Sequence, residues 1–252
     1  MIPPDIDRTT ALFLDLDGTL LEIAAGPEQV VVPPGLPALL ADLHRLLGGA
    51  LAIVSGRSLP DIDRLLQPFV ASAGGEHGGS LRFGDGSRVE TPSGLVVPEE
   101  WHRALRDAAG RWPGVQVEPK PHGVTVHYRL VPERRDDVWQ MMRALVPDDH
   151  PEFRLLPARK AAEIALRSVS KGHAVESLMA RVPFQGRHPI FVGDDVTDEA
   201  GMSAARQFGG KGLRVAEVFG GQPERVIAWL RRGADRLSEG GSPNLAPIGT
   251  SP

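Results

Sequence analysis

Ala11-Leu12-Phe13-Leu14-Asp15-Leu16-Asp17-Gly18-Thr19 decides the reading of this chain. Four apolar residues stop abruptly at an acid, and an acidic, glycine-containing stretch follows. A short apolar run bounded in this way predicts a buried strand feeding a polar loop. The pattern recurs at Ala50-Leu51-Ala52-Ile53-Val54, which ends in Ser55-Gly56-Arg57, and at Pro189-Ile190-Phe191-Val192, which ends in Gly193-Asp194-Asp195. Between the first two runs, Leu36, Leu39, Leu40, Leu43, Leu46 and Leu47 repeat at helical spacing and stop at Gly48-Gly49. Buried strands alternating with helices predict an α/β fold around a parallel sheet. In such sheets ligands sit beyond the carboxyl ends of the strands, where all three polar clusters fall.

The middle of the chain has a different rhythm. A helical stretch at 101–111 precedes alternating strands at 115–118 and 125–129. A second helix at 133–145 precedes strands near 153–156 and 162–166. This α-β-β-α-β-β order predicts an α+β layer inserted into the α/β core, bordered by loops near Thr91–Gly94 and Ser168–Ser170. The expected division is a discontinuous core of residues 1–92 and 168–237, an insert of 93–167, and a disordered Gly/Pro/Ser-rich tail of 238–252.

Composition narrows the function classes. At 252 residues the chain is long enough for two domains. A formal charge of −4 argues against a nucleic-acid partner, which calls for a basic face. Without cysteine there are no disulfides, thiolate nucleophiles or cysteine zinc sites. No apolar run approaches ~18 residues, so no membrane span is expected. The first residues lack a basic leader followed by an apolar stretch, and a cytoplasmic protein is expected. Nothing in the sequence specifies an oligomeric state.

The chemistry concentrates in the strand-end clusters. Asp15 and Asp17, one residue apart at a strand tip, can face one pocket. At ~5 Å and an effective dielectric of ~20 their repulsion is about 3 kcal/mol, which a divalent cation relieves. Magnesium suits such a site, being hard and oxygen-seeking. The plainer reading is a turn with helix-capping acids. Ser55, with free backbone N–H groups at the next helix start, can hold a phosphate oxygen, or simply cap that helix. Lys171, opening a helix after Ser168–Ser170, can neutralise a nucleophile and a phosphate together, or lie solvated. Gly193-Asp194-Asp195-Val196-Thr197-Asp198-Glu199 puts four acids in one short stretch after a strand, a metal site or a helix start favoured by its dipole.

In order, Asp-x-Asp-Gly-Thr, Ser, Lys and Gly-Asp-Asp-x-x-Asp resemble the haloacid dehalogenase superfamily of phosphohydrolases. The resemblance implies a Rossmann-like hydrolase core with a class 2 cap inserted between the Ser and Lys elements. It implies a nucleophile at Asp15 and a general acid/base at Asp17, with Ser55 and Lys171 stabilising phosphate charge. Magnesium would be held by the Asp15 carboxylate, the Asp17 backbone carbonyl and Asp194, with Asp195 and Asp198 close by. Further strings are similar to the trehalose-6-phosphate phosphatase family. These are Pro27–Val30, Ser55-Gly56-Arg57, Gly75-Glu76-His77-Gly78, Glu118-Pro119-Lys120, His127-Tyr128-Arg129, Glu163 and the acidic stretch 193–199. That resemblance implies a sugar phosphate substrate met by Arg57, His77, Lys120, His127, Arg129 and Glu163. Charged residues alternating on a strand also often just face solvent. Two segments depart from the family pattern: Ala216–Gly221 stands where a longer Gly-x-x-x-Thr-x-Ala loop is usual, and Ile164–Arg167 replaces an acid-basic-Pro string. Rivals to a trehalose 6-phosphate phosphatase are a phosphatase of a sucrose- or mannosyl-type phosphate, and a non-catalytic sugar-phosphate sensor.

Overall fold

The computed structural model describes residues 2–24, 29–84, 88–90, 96–120, 123–158 and 160–239. The first apolar run forms β1 (Thr10–Leu14), and all five of its residues are buried. Strands β2 (Leu51–Val54) and β3 (Ser72–Gly75) lie on one side of it. Strands β10 (His188–Gly193) and β11 (Lys211–Arg214) lie on the other. These five are parallel, in the order β11-β10-β1-β2-β3. Two antiparallel strands, β4 (Ser80–Phe83) and β5 (Arg88–Glu90), extend the sheet to seven. The α/β expectation holds, with two more parallel strands and an antiparallel edge that apolar runs alone do not announce.

Register makes the site. Leu14 pairs with Val192 on β10 and with Ile53 on β2. Asp15, Ser55 and Asp194 therefore emerge at nearly one level from three adjacent strand tips, with neighbouring strands roughly 4.8 Å apart. Helices α1 (Leu36–Leu46), α2 (Leu59–Leu66), α5 (Lys171–Met179), α6 (Asp198–Gln207), α7 (Val215–Val218) and α8 (Pro223–Glu239) belong to the same α/β core. Leu12, Phe13 and Leu14 are fully buried among them. Burial on that scale is worth about 1.5–3 kcal/mol per side chain, enough to offset crowded carboxylates at the strand's end.

The inserted layer comprises α3 (Glu99–Ala109), β6 (Gln116–Lys120), β7 (Gly123–His127), α4 (Arg135–Leu145), β8 (Phe153–Ala158) and β9 (Ala161–Leu166). Its strands form a separate antiparallel sheet, in the order β6-β7-β9-β8. Because side chains alternate across a strand, one face carries Val124, Val126, Ala162, Ile164 and Leu166. These pack with Leu105 of α3 and Val138 and Met142 of α4 into a second hydrophobic cluster. The other face is polar and turns toward the strand tips of the core. Strand β7 ends at His127, so Tyr128 and Arg129 lie past it, where alternation suggested a strand through 129.

Helix α8 runs through Ser238 and Glu239, two residues past the expected end of the ordered chain. The remainder of the tail, residues 240–252, lies outside the described residues, as does the loop at 91–94. Among the described residues no helix is long and apolar enough to cross a membrane.

Candidate active site

Asp15 is buried at the tip of β1. Its Oδ1 accepts a hydrogen bond from Lys171 Nζ at 2.6 Å and its Oδ2 accepts one from Thr19 Oγ1 at 3.1 Å. Lys171 reaches it because Ser170 caps α5, accepting the His173 N–H at 3.1 Å and fixing the lysine in the first turn. The same ammonium donates to Asp198, which is wholly buried and also accepts the Asp195 N–H at 2.9 Å. Lys171 is thus a buried cation between two buried carboxylates. Burial works against its charge, but Asp15 and Asp198 outweigh burial and hold its pKa above the usual lysine range.

The carboxylates of Asp15, Asp194 and Asp198 converge, each offering an oxygen within 4.8 Å of the others. Burial, then Asp198, push the Asp15 carboxyl well up, against the pull of Lys171. Burial, then Asp198 and Asp195, raise Asp194 to about 6. Three carboxylates facing one ammonium leave two negative charges, which one divalent cation balances. The donors are all oxygen, so the set fits a hard ion of the magnesium type. Gly18 makes room for this cluster: at φ 80°, a Cβ there would lie 2.0 Å from Asp194 Oδ2.

The other two expected metal-site acids direct their carboxylates elsewhere. Asp17 is gripped by Arg57, whose Nε donates to Oδ2 at 2.6 Å and whose Nη2 donates to Oδ1 at 2.7 Å. Asp195 Oδ1 accepts the Val196 N–H at 2.6 Å. Ser55 is buried, and its Oγ accepts the Arg57 N–H at 3.2 Å, leaving its own proton to donate.

Above this floor stands the polar face of the inserted sheet. Gln116, Glu118 and Lys120 alternate along β6, opposite His127, Thr125 and Gly123 of β7. Glu163 of β9 pairs in register with Thr125. Glu163 Oε2 accepts Lys120 Nζ at 3.0 Å and Thr125 Oγ1 at 3.2 Å, and His77 Nε2 lies 3.5 Å away. Burial opposes charge on Glu163, yet Lys120 and His77 hold its carboxyl well below the usual range. His127 Nε2 is 2.8 Å from Glu118 Oε2. Among the described residues, bonds that tie the inserted sheet to the core include Lys120 Nζ donating to Gly56 O at 3.1 Å and Arg129 donating to Ala24 O.

Core floor and inserted face enclose one cavity of about 640 Å³. It is lined by Asp15, Asp17, Ser55, Arg57, His77, Lys120, His127, Arg129, Glu163, Lys171, Asp194 and Asp195, every expected site residue except Asp198, which lies behind Lys171. Glu118, quoted from sequence only within the Glu118-Pro119-Lys120 string, lines it too, as do Gln116 and Thr125, which were not singled out although alternation on β6 and β7 puts all three on the same face as Lys120 and His127. Among the described residues, none of the departing segment 216–221 lines the cavity. Arg214, just before it, instead braces the acidic loop through Glu199.

A parallel core with its polar clusters at the strand tips, roofed by an inserted α+β layer, is the arrangement of an α/β enzyme that binds its ligand beyond the carboxyl ends of the strands. A family model described as trehalose-phosphatase matches residues 13–225. The chain belongs to the trehalose-phosphatase family. It is 40% identical over 211 residues to a probable trehalose-phosphate phosphatase of Sinorhizobium fredii, covering 84% of this chain and 79% of that one. It is 34% identical over 214 residues to the trehalose-6-phosphate phosphatase of Escherichia coli, with coverage of 84% and 79%. The fold is also that of the Candida albicans trehalose-6-phosphate phosphatase C-terminal domain, with a TM-score of 0.77 at 17% identity over 91% of this chain and 93% of that one.

Proposed function

We propose that this chain hydrolyses trehalose 6-phosphate to trehalose and inorganic phosphate through a phosphoryl group carried on Asp15. The observation that carries the reading is one cavity with a buried carboxylate–lysine floor and a roof of sugar-compatible polar groups. The names of the relatives at 40% and 34% identity support the substrate.

In this reading an Asp15 carboxylate oxygen attacks phosphorus, forming an O–P bond as the bond from phosphorus to the sugar oxygen breaks. Asp17, carrying a proton, gives it to that leaving oxygen, and trehalose departs. A water then attacks phosphorus and yields its proton to Asp17. The Asp15–phosphorus bond breaks, phosphate leaves, and the Asp15 carboxylate is restored. Splitting the reaction in this way matters because phosphate monoesters are among the slowest substrates to hydrolyse unaided. The Lys171 ammonium and the Ser55 hydroxyl offer charge and a hydrogen bond to the phosphoryl oxygens. Asp15, the Asp17 backbone carbonyl and Asp194, with Asp195 and Asp198 beside them, would hold a magnesium ion, which would supply further positive charge to those oxygens when bound. Glu118, Lys120, His127, Arg129 and Glu163 face the sugar, while Arg57 and His77 border it from the core.

The test is phosphate release from a panel of phosphorylated disaccharides, with magnesium and with EDTA. Trehalose 6-phosphate is expected to lead in kcat/KM, with activity lost on chelation. A sucrose- or mannosyl-type phosphate in first place overturns the substrate, and release indifferent to EDTA overturns the metal. Binding without release identifies a sensor.

A further inference from the structure

Glu76 and His77 follow β3 with φ of 51° and 59°. That is the left-handed region, which strains a non-glycine backbone and gathers at functional sites. Two backbone bonds to the loop after β2 impose it: the Glu76 N–H donates to Arg57 O at 2.8 Å and the His77 N–H donates to Ser55 O at 2.9 Å. The conformation aims the imidazole across the seam between core and cap, with Nε2 3.5 Å from Oε2 of Glu163. The other ring nitrogen, Nδ1, is buried without a hydrogen-bond partner among the described residues, so the ring's polar use lies on the Nε2 side. Gly56 clears the space: a Cβ there would lie 2.7 Å from both Cε1 and Nε2 of His77.

Glu163 Oε2 therefore faces three donor side chains, of which Lys120 and Thr125 belong to the cap and His77 to the core. The lysine also spans the seam, since its Nζ donates to Gly56 O at 3.1 Å. With the cap lifted, Glu163 keeps its cap partners Lys120 and Thr125 but loses the contact from His77. We infer that His77 is a positioning residue, which from the core fixes the cap carboxylate of Glu163 in its sugar-reading orientation.

This rests on the substrate reading above, and the experiment separates the two. On the best phosphorylated disaccharide of the panel, His77→Ala is expected to lower kcat/KM about tenfold, mainly through KM. His77→Gln, which keeps a donor near Nε2, is expected to recover most of that loss. In a Glu163→Gln background, His77→Ala is expected to cost less than about twofold, because its effect passes through the missing carboxylate. Gly56→Ala, which drives the ring off Glu163, is expected to raise KM as His77→Ala does. A full loss from His77→Ala in the Glu163→Gln background overturns the inference, as does a glutamine variant no better than alanine. If the best substrate is not trehalose 6-phosphate, that reading falls while the cycle still judges His77.

Discussion

Arg57 closes on Asp17 through two near-parallel hydrogen bonds, at 2.6 and 2.7 Å, that engage both carboxylate oxygens. Such a fork fixes the plane of the carboxylate. The arrangement suits the second half of the proposed reaction, in which Asp17 must be a base toward water.

Loss of Arg57 is therefore expected to slow hydrolysis of the phosphoenzyme more than its formation. With p-nitrophenyl phosphate, whose leaving group needs no proton, Arg57→Gln should release about one equivalent of p-nitrophenol rapidly and then turn over slowly. Stopped-flow absorbance checks this. A single slow phase with no burst removes the positioning of Asp17 from the account.

Glu163 links recognition to stability. Its folded pKa lies below the ordinary glutamate value of 4.5, so its stabilising contribution is fully present above that value and is lost as pH falls toward the folded pKa. Removing one partner of a buried ion pair costs on the order of 3 kcal/mol. Urea denaturation at pH 7 should show Glu163→Gln weaker than wild type by about that amount, with the gap narrowing near pH 3. Kinetically, the variant should lose trehalose 6-phosphate turnover far more than turnover of a small aryl phosphate. Equal losses on the two substrates argue against a sugar-reading cap.

Asp194 gives a readout of the cation site that does not depend on turnover. Its carboxyl is held near 6 by burial and neighbouring acids, so its charged form is unfavourable without a counter-ion. Metal-free Asp194→Asn should be at least as stable as wild type. Magnesium at about a hundred times its Kd should stabilise wild type by about 2.7 kcal/mol, raising Tm by several degrees. The same magnesium should leave Asp194→Asn nearly unmoved. Equal shifts in thermal melts of both proteins would relocate the cation.

Lys171 compensates two buried carboxylates at once. Lys171→Met should destabilise the fold by about 3–5 kcal/mol as well as stop turnover, because Asp15 and Asp198 lose their partner. A variant that folds as stably as wild type by chemical denaturation contradicts the buried-pair geometry.

Much of the core was legible because β1, β2 and β10 are continuous apolar runs ending at polar residues. Strand β3 was not, since Ser72-Ala73-Gly74-Gly75 carries small residues. The reason is packing against α5: a Cβ on Gly74 would lie 2.8 Å from Ala174 Cβ. The extent of α8 was hidden as well, because Ser238 is a poor helix residue. It is accommodated there by donating its Oγ proton to Ala234 O at 2.9 Å. At the site, position followed from strand tips, but partnership did not. Arg57 reads equally well as a phosphate ligand until the fold brings Asp17 to it across 40 residues of chain. Lys120 likewise meets Glu163 across 43 residues. Gln116 and Thr125 went unmarked because an isolated polar residue on a strand gives no sign of which face meets water.

The central claim is that Asp15 carries the phosphoryl group. Acid-quenched turnover of trehalose 6-phosphate followed by peptide mass spectrometry tests it most directly. One phosphoryl group on the peptide containing Asp15, together with complete loss of turnover in a folded Asp15→Asn protein, is the expected result. Phosphate on another residue, or sustained turnover in Asp15→Asn, would contradict the account.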